Sequence, residues 1–178
     1  MTPTFSPRRL LEALRDPEAL LREMCRSPIA PGSTGVRPIL DRQAIERLLP
    51  HRDPFLLVDV VHRWERGDGV IAASYDLDHA SAVLAGHFPG WPVWPGVLQV
   101  EAIAQAGCLL SALQRDEALT EVAATHIRGA RFVRPITPGA PVEIVVTGIE
   151  EGLFYTVIGQ CLQRGEVCSA AVLSAYIP

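Results

Sequence analysis

The sequence predicts an α+β domain in which one antiparallel sheet wraps around a single long buried helix. Three observations lead there. Residues 97–113, VLQVEAIAQAGCLLSAL, are apolar nearly all round, and a helix of that composition has no solvent face. Two β-rich stretches precede it and four follow, divided by turn-forming residues. A sheet curved about the helix is the simplest way to bury it, and no internal repeat points to another architecture.

Taken in order, Ser6-Pro7 and Asp16-Pro17 each pair a capping residue with a first-turn proline. They open short helices over residues 6–14 and over ALLREM. The apolar stripes of these helices (Leu10, Leu11, Leu14; Leu20, Leu21, Met24) suit docking on a larger body. Residues 27–38, SPIAPGSTGVRP, read as a linker. Residues 1–40 are therefore expected to be an N-terminal helical arm and linker, covering surface or meeting a partner. Residues 41–178 are expected to be the domain proper.

Asp41 caps a third helix, RQAIERLL, which Pro50 ends. His51, Arg52, Asp53 and Pro54 make a polar turn, in which Asp53 and His51 are catalytic candidates but turn and capping roles are the expectation. Strands are expected over residues 55–64 and 70–77, turning at Gly67, Asp68 and Gly69, with residues 78–85 as a loop. After the long helix, residues 114–119 are a polar exit. Four strands follow, near residues 125–134, 141–149, 153–163 and 166–177, separated by TPGA, EEG and RG. Counting outward from Arg164-Gly165 sets Gln163 opposite Glu166, Leu162 opposite Val167 and Cys161 opposite Cys168. Both cysteines are expected as free, space-filling thiols.

Composition narrows the function. A chain of 178 residues suits one domain with a real core. Four cysteines without a CxxC pair argue against a zinc or redox site, and the cytoplasm is the expected compartment. A net charge of -4 with no basic run argues against nucleic acid as a partner. No apolar run reaches the length of a membrane span, and no apolar signal core stands beside Arg8, Arg9 and Glu12. His62, His79 and His126 stand in no supporting pattern and are expected to be structural.

The chemistry concentrates in residues 86–113. GHFPGWPVWPG holds three prolines and three glycines, which excludes helix and interior strand and implies a stiff loop. Pro95 then sits where a first-turn proline is tolerated, and Gly96 brings bare backbone N–H groups to the helix N-terminus. Glu101 and Gln105, four apart, share a face with Leu98 and Cys108. A carboxylate on a buried helix is costly unless it is paired, protonated or used.

HFPG followed by PGVLQVEAIAQ resembles the signature of the 3-hydroxyacyl-(acyl carrier protein) dehydratases of bacterial fatty-acid synthesis, whose fold is the hotdog fold. LLPHRDPFLLVD (48–59) and ARFVRPITPGAPVEI (130–144) extend the resemblance over residues 41–178. It implies dehydration of a (3R)-3-hydroxyacyl thioester on acyl carrier protein to the trans-2-enoyl thioester, with no cofactor or metal. It implies His87 as base, its ring oriented by the Val93 carbonyl, Glu101 as acid, and the Gly96 N–H for the thioester oxygen. Val93, Trp94, Gly96 and Gln105 are the expected oxyanion and substrate-binding positions. Gln105 either hydrogen-bonds Glu101 or the loop, or fills its stripe.

Both residue types suit these roles, since histidine has a neutral form at pH 7 and an apolar helix favours a protonated carboxyl. The resemblance further implies that histidine and carboxylate come from opposite subunits, so a homodimer or a higher oligomer is expected. Glutamate, rather than aspartate, at 101 indicates the branch that mainly dehydrates. Ser81 to Leu84, Trp91 and Trp94 depart from the family pattern beside the site and leave acyl-chain length open, and with it the choice between fatty-acid synthesis and a related polyketide-type pathway. Arg128, Arg131 and Arg134 are candidates for meeting the acidic carrier or its phosphopantetheine, or form a solvated face. Two alternatives keep the fold. One is an acyl thioesterase, which the HFPG signature disfavours; the other is a non-catalytic subunit that binds acyl carriers.

Overall fold

A computed structural model of the chain describes residues 12–30, 36–64 and 69–178. The helix expected over residues 6–14 lies outside the described residues except for its end, as do part of the 27–38 linker and most of the Gly67 turn.

Four helices and six strands are present among the described residues. Helix α1 spans Pro17–Met24, α2 Arg42–Leu48, α3 Ser81–Gly86 and α4 Gly96–Arg115. The strands are β1 Val60–Trp64, β2 Val70–Tyr75, β3 Ala123–Phe132, β4 Val142–Glu151, β5 Phe154–Gln163 and β6 Glu166–Tyr176. All six pair antiparallel in the order β1-β2-β4-β5-β6-β3. The sheet curves around α4, giving the hotdog fold.

Burial explains the arrangement. Helix α4 is long and apolar enough to cross a membrane, yet most of it lies inside the protein. Its Ala102, Ile103, Ala106, Leu109 and Leu110 pack against the inner sheet residues Ile144, Val146, Val157, Ala171 and Leu173. Two glycines permit the close approach. A Cβ on Gly107 would sit 2.5 Å from Val157 Cγ2, and one on Gly159 would sit 2.5 Å from Ile103 Cγ2. The helix and β5 are therefore seated backbone to side chain at both levels.

Strands β4, β5 and β6 are buried on their outer face too, which is why they read as continuous apolar runs. Leu20, Leu21 and Met24 of α1 cover Val145, Ile158, Leu162 and Val172 there. Asp16 caps α1 by accepting from the Ala19 N–H at 2.9 Å. The chain after α1 is anchored by Gln160 of β5: its Oε1 accepts from the Ile29 N–H at 2.7 Å and its Nε2 donates to the Ser27 carbonyl at 2.9 Å. The Glu18 carboxylate accepts from Arg131 of β3 at 2.7 Å.

Three expectations need correction. The strand expected over 55–64 survives only as β1. Upstream of it, the backbone at Phe55 and Leu57 is engaged by the Gln105 side chain instead of by a neighbouring strand. Residues 78–85 are not a loop: a 3-10 turn at Leu77–Ala80, capped by Asp76, runs into α3. The last hairpin pairs Gln163 with Glu166 and Leu162 with Val167 as expected, but Cys161 then faces Ser169. Cys168 falls in a bulge, where its carbonyl accepts from the N–H groups of Val133 and Arg134. The bulge turns the two cysteines out of register, and all four cysteines are free.

Candidate active site

His87 ends α3 and begins the stiff loop. Its Nδ1 lies 2.8 Å from the Val93 carbonyl oxygen, and the Val93 N–H returns a bond to the His87 carbonyl at 2.9 Å. A carbonyl only accepts, so Nδ1 carries the proton and the neutral ring keeps its Nε2 lone pair. The Trp94 N–H then donates to the Ile136 carbonyl at 2.8 Å, which ties the loop to the segment after β3.

His87, Val93, Trp94, Gly96 and Gln99 face residues 132–135 across an open cavity of about 370 Å³. Gly96 is the first residue of α4, so its N–H lacks an intrahelical acceptor and the positive end of the helix dipole points toward the cavity mouth. Trp94 is fully buried and stacks on Tyr75 at 5.6 Å between ring centroids. Burial, reinforced by the Asp59 carboxylate, pushes the Tyr75 phenol up to about 12, so it stays neutral.

Glu101 is not among the residues lining that cavity. It sits one and a half turns along α4, on another face, and meets a different set of partners. Gln105 Nε2 donates to Glu101 Oε1 at 2.8 Å and to the Phe55 carbonyl at 2.8 Å, while Gln105 Oε1 accepts from the Leu57 N–H at 2.8 Å. The backbone of residues 55–57 thus fixes which way the buried Gln105 amide points. Gln105 is a hydrogen-bonding residue, not a filler of its stripe, and it belongs to the Glu101 side and not to the His87 cavity.

The contact that sequence reasoning missed is His51. Its Nε2 lies 3.7 Å from Glu101 Oε1, and both side chains are about a quarter exposed, at 22% and 27%. Nothing local in HRDP signals this, because the contact crosses fifty positions and depends on how α2 and its following turn dock on α4. Asp53, the other polar candidate of that turn, pairs with Arg42, which also binds Asp59. His79 pairs with Asp59 at 3.1 Å and His62 bonds Ser74 and the Val36 carbonyl. Of the three arginines, Arg131 is held by Glu18 and Arg134 by Glu166 and the Val167 carbonyl. No cluster able to hold a metal ion occurs among the described residues.

A broad apolar surface borders the cavity. Phe88, Trp91, Val97, Phe132 and Val133 are exposed there, and Ile127 is exposed along the edge strand β3. Among the described residues no further strand pairs with the ten-residue edge of β3, and an edge with apolar flanks is a surface that folded proteins ordinarily cover.

A family model described as a FabA-like domain matches residues 49–167. The 3-hydroxyacyl-(acyl-carrier-protein) dehydratase FabZ of Anaeromyxobacter sp. is 38% identical over 145 residues, which span 79% of this chain and 92% of that protein. Its counterpart from Nitratiruptor sp. is 36% identical over 146 residues, spanning 78% and 98%. Among solved structures, the dehydratase heterocomplex ApeI:P from Xenorhabdus doucetiae aligns with a TM-score of 0.64 at 23% identity, over 75% of this chain and 90% of that one. A thioesterase from Pseudomonas aeruginosa aligns at 0.57 and 18% identity, over 80% and 96%. Likeness at those identities is one of fold.

Proposed function

The chain belongs to the FabA-like family and dehydrates 3-hydroxyacyl thioesters on acyl carrier protein to 2-enoyl thioesters in fatty-acid synthesis; we propose that it does so with His87 as base and Glu101 as acid, in a site completed between two copies of the chain. The observation that carries the proposal is the separation of the two groups. Within one chain His87 lines one cavity and Glu101 answers to His51 and Gln105 elsewhere. The apolar surface beside His87 and the bare edge of β3 give a second copy a place to dock and to bring its Glu101 over the cavity.

The chemistry follows from the geometry. His87, with Nδ1–H held by the Val93 carbonyl, presents Nε2 to the C2 proton, and such base catalysis is typically worth roughly 10²–10⁴ in rate. The Gly96 N–H stabilises the thioester oxygen as it gains charge, where one donor is worth about 3–4 kcal/mol. Glu101 from the second copy delivers its proton to the departing C3 hydroxyl, which leaves as water. The partner is the carrier with its phosphopantetheine-linked acyl chain, met in the cytoplasm, and the residues need no bound metal for these steps.

Mass spectrometry of 3-hydroxyacyl carrier protein incubated with the enzyme tests the reading. Loss of one water supports it, loss of the acyl group indicates a thioesterase, and an unchanged mass indicates a carrier-binding subunit.

A further inference from the structure

Glu101 has two oxygens, and the structure treats them differently. Oε1 accepts from Gln105 and has His51 Nε2 as its next neighbour. Gln105 meets Glu101 through its Nε2, while its Oε1 is turned to the Leu57 N–H, so toward Glu101 it is a donor and not an acceptor. On the other side, His51 Nδ1 is buried without a hydrogen-bond partner among the described residues. A proton on Nδ1 would be an unsatisfied buried donor, which costs more than an idle lone pair. Neutral His51 therefore carries its proton on Nε2, facing Glu101 Oε1.

We propose that His51 is a positioning residue for Glu101: its Nε2–H joins the Gln105 amide in holding Oε1 as an acceptor, which leaves the acid proton on Oε2 and stabilises the carboxylate formed when that proton is given up. The inference rests on Glu101 being the acid. The gap of 3.7 Å exceeds a hydrogen bond, and catalytic contacts of this kind tighten when substrate closes the site. The turn that carries His51 is braced, since Arg52 Nη1 donates to the Leu49 and His51 carbonyls at 2.7 Å each. Burial, opposed by the nearby Glu101 charge, lowers the tendency of His51 to protonate, so it acts as a neutral donor and not as a competing cation. The remaining titratable groups here are Arg52, which faces backbone, and the Cys108 thiol, which burial pushes up to about 12 and keeps neutral.

His51→Asn and His51→Gln separate positioning from packing, because the glutamine amide reaches the place of Nε2 and the asparagine amide does not. His51→Asn is expected to lower kcat by roughly ten- to a hundred-fold with KM little changed, and to move the alkaline limb of kcat to higher pH. His51→Gln should restore most of kcat and the wild-type limb. Wild-type kcat and limb in His51→Asn would overturn the proposal. Equal losses in both variants with an unmoved limb would overturn it as well, marking a structural role. Imidazole ¹⁵N NMR of the wild-type protein provides a readout independent of turnover. The Nε2–H tautomer, with signals that shift in Glu101→Gln, is expected, and a Nδ1–H tautomer would refute the contact. A protein that shows the expected tautomer but dehydrates nothing would sink the dehydratase reading and leave the His51–Glu101 contact standing.

Discussion

Mixing two inactive variants tests the shared site most directly. His87→Ala removes the base, and Glu101→Gln removes the acid proton while keeping an oxygen for the Gln105 donor. Each variant alone should lose roughly 10²–10⁴ in turnover, the usual worth of a positioned acid or base. In a two-fold dimer each site takes His87 from one copy and Glu101 from the other. A mixed dimer then holds one site with both groups intact and one with neither. Random exchange of equal amounts makes about half the dimers mixed, so the mixture should recover about a quarter of wild-type turnover per site. Native mass spectrometry would establish that exchange has occurred, and the dehydration assay would then be run on the same sample. No recovery in a sample full of mixed dimers would refute a site built between copies, since two residues on one chain are never both intact there.

Gly107→Ala sets helix propensity, which favours alanine by about 1 kcal/mol, against overpacking on Val157, which costs about 1–3 kcal/mol. Val157 is branched and buried in the sheet, so packing should win and urea unfolding should report a net loss; a more stable variant would contradict the seat described for α4. Deleting residues 1–38 removes α1 from the outer sheet face and uncovers Val145, Ile158, Leu162 and Val172. The truncated chain should still turn over a short thioester analogue but should melt earlier and self-associate by light scattering; a monodisperse product with the wild-type Tm would show that α1 contributes nothing. Burial pushes the Cys108 and Cys161 thiols up to about 12, so at pH 8 they should resist alkylation in the native protein, and all four cysteines should react once it is unfolded. Two reactive thiols after unfolding would instead indicate a hairpin disulfide.

The elements that the sequence determined are those in which composition leaves one solution. An all-apolar run of helical length has to be buried, and strands divided by proline and glycine turns have to supply the cover, so the helix-in-sheet architecture was legible from residues 97–113 and their flanks. The HFPG loop was legible for the same reason, because its prolines and glycines allow few backbones and put His87 on a rigid support. What tertiary structure decided lay in contacts between distant residues. The backbone at residues 55–57 forms no strand because a glutamine fifty positions away takes its hydrogen bonds. One bulge residue moved Cys168 out of line with Cys161, since strand register depends on pairing across the whole sheet and not on the turn alone. His51 reads in sequence as a turn residue, and only the docking of its turn on α4 sets it beside Glu101. Local sequence fixes what a segment can be; which polar groups meet is fixed by packing, because a buried polar group takes whatever partner the fold brings within reach.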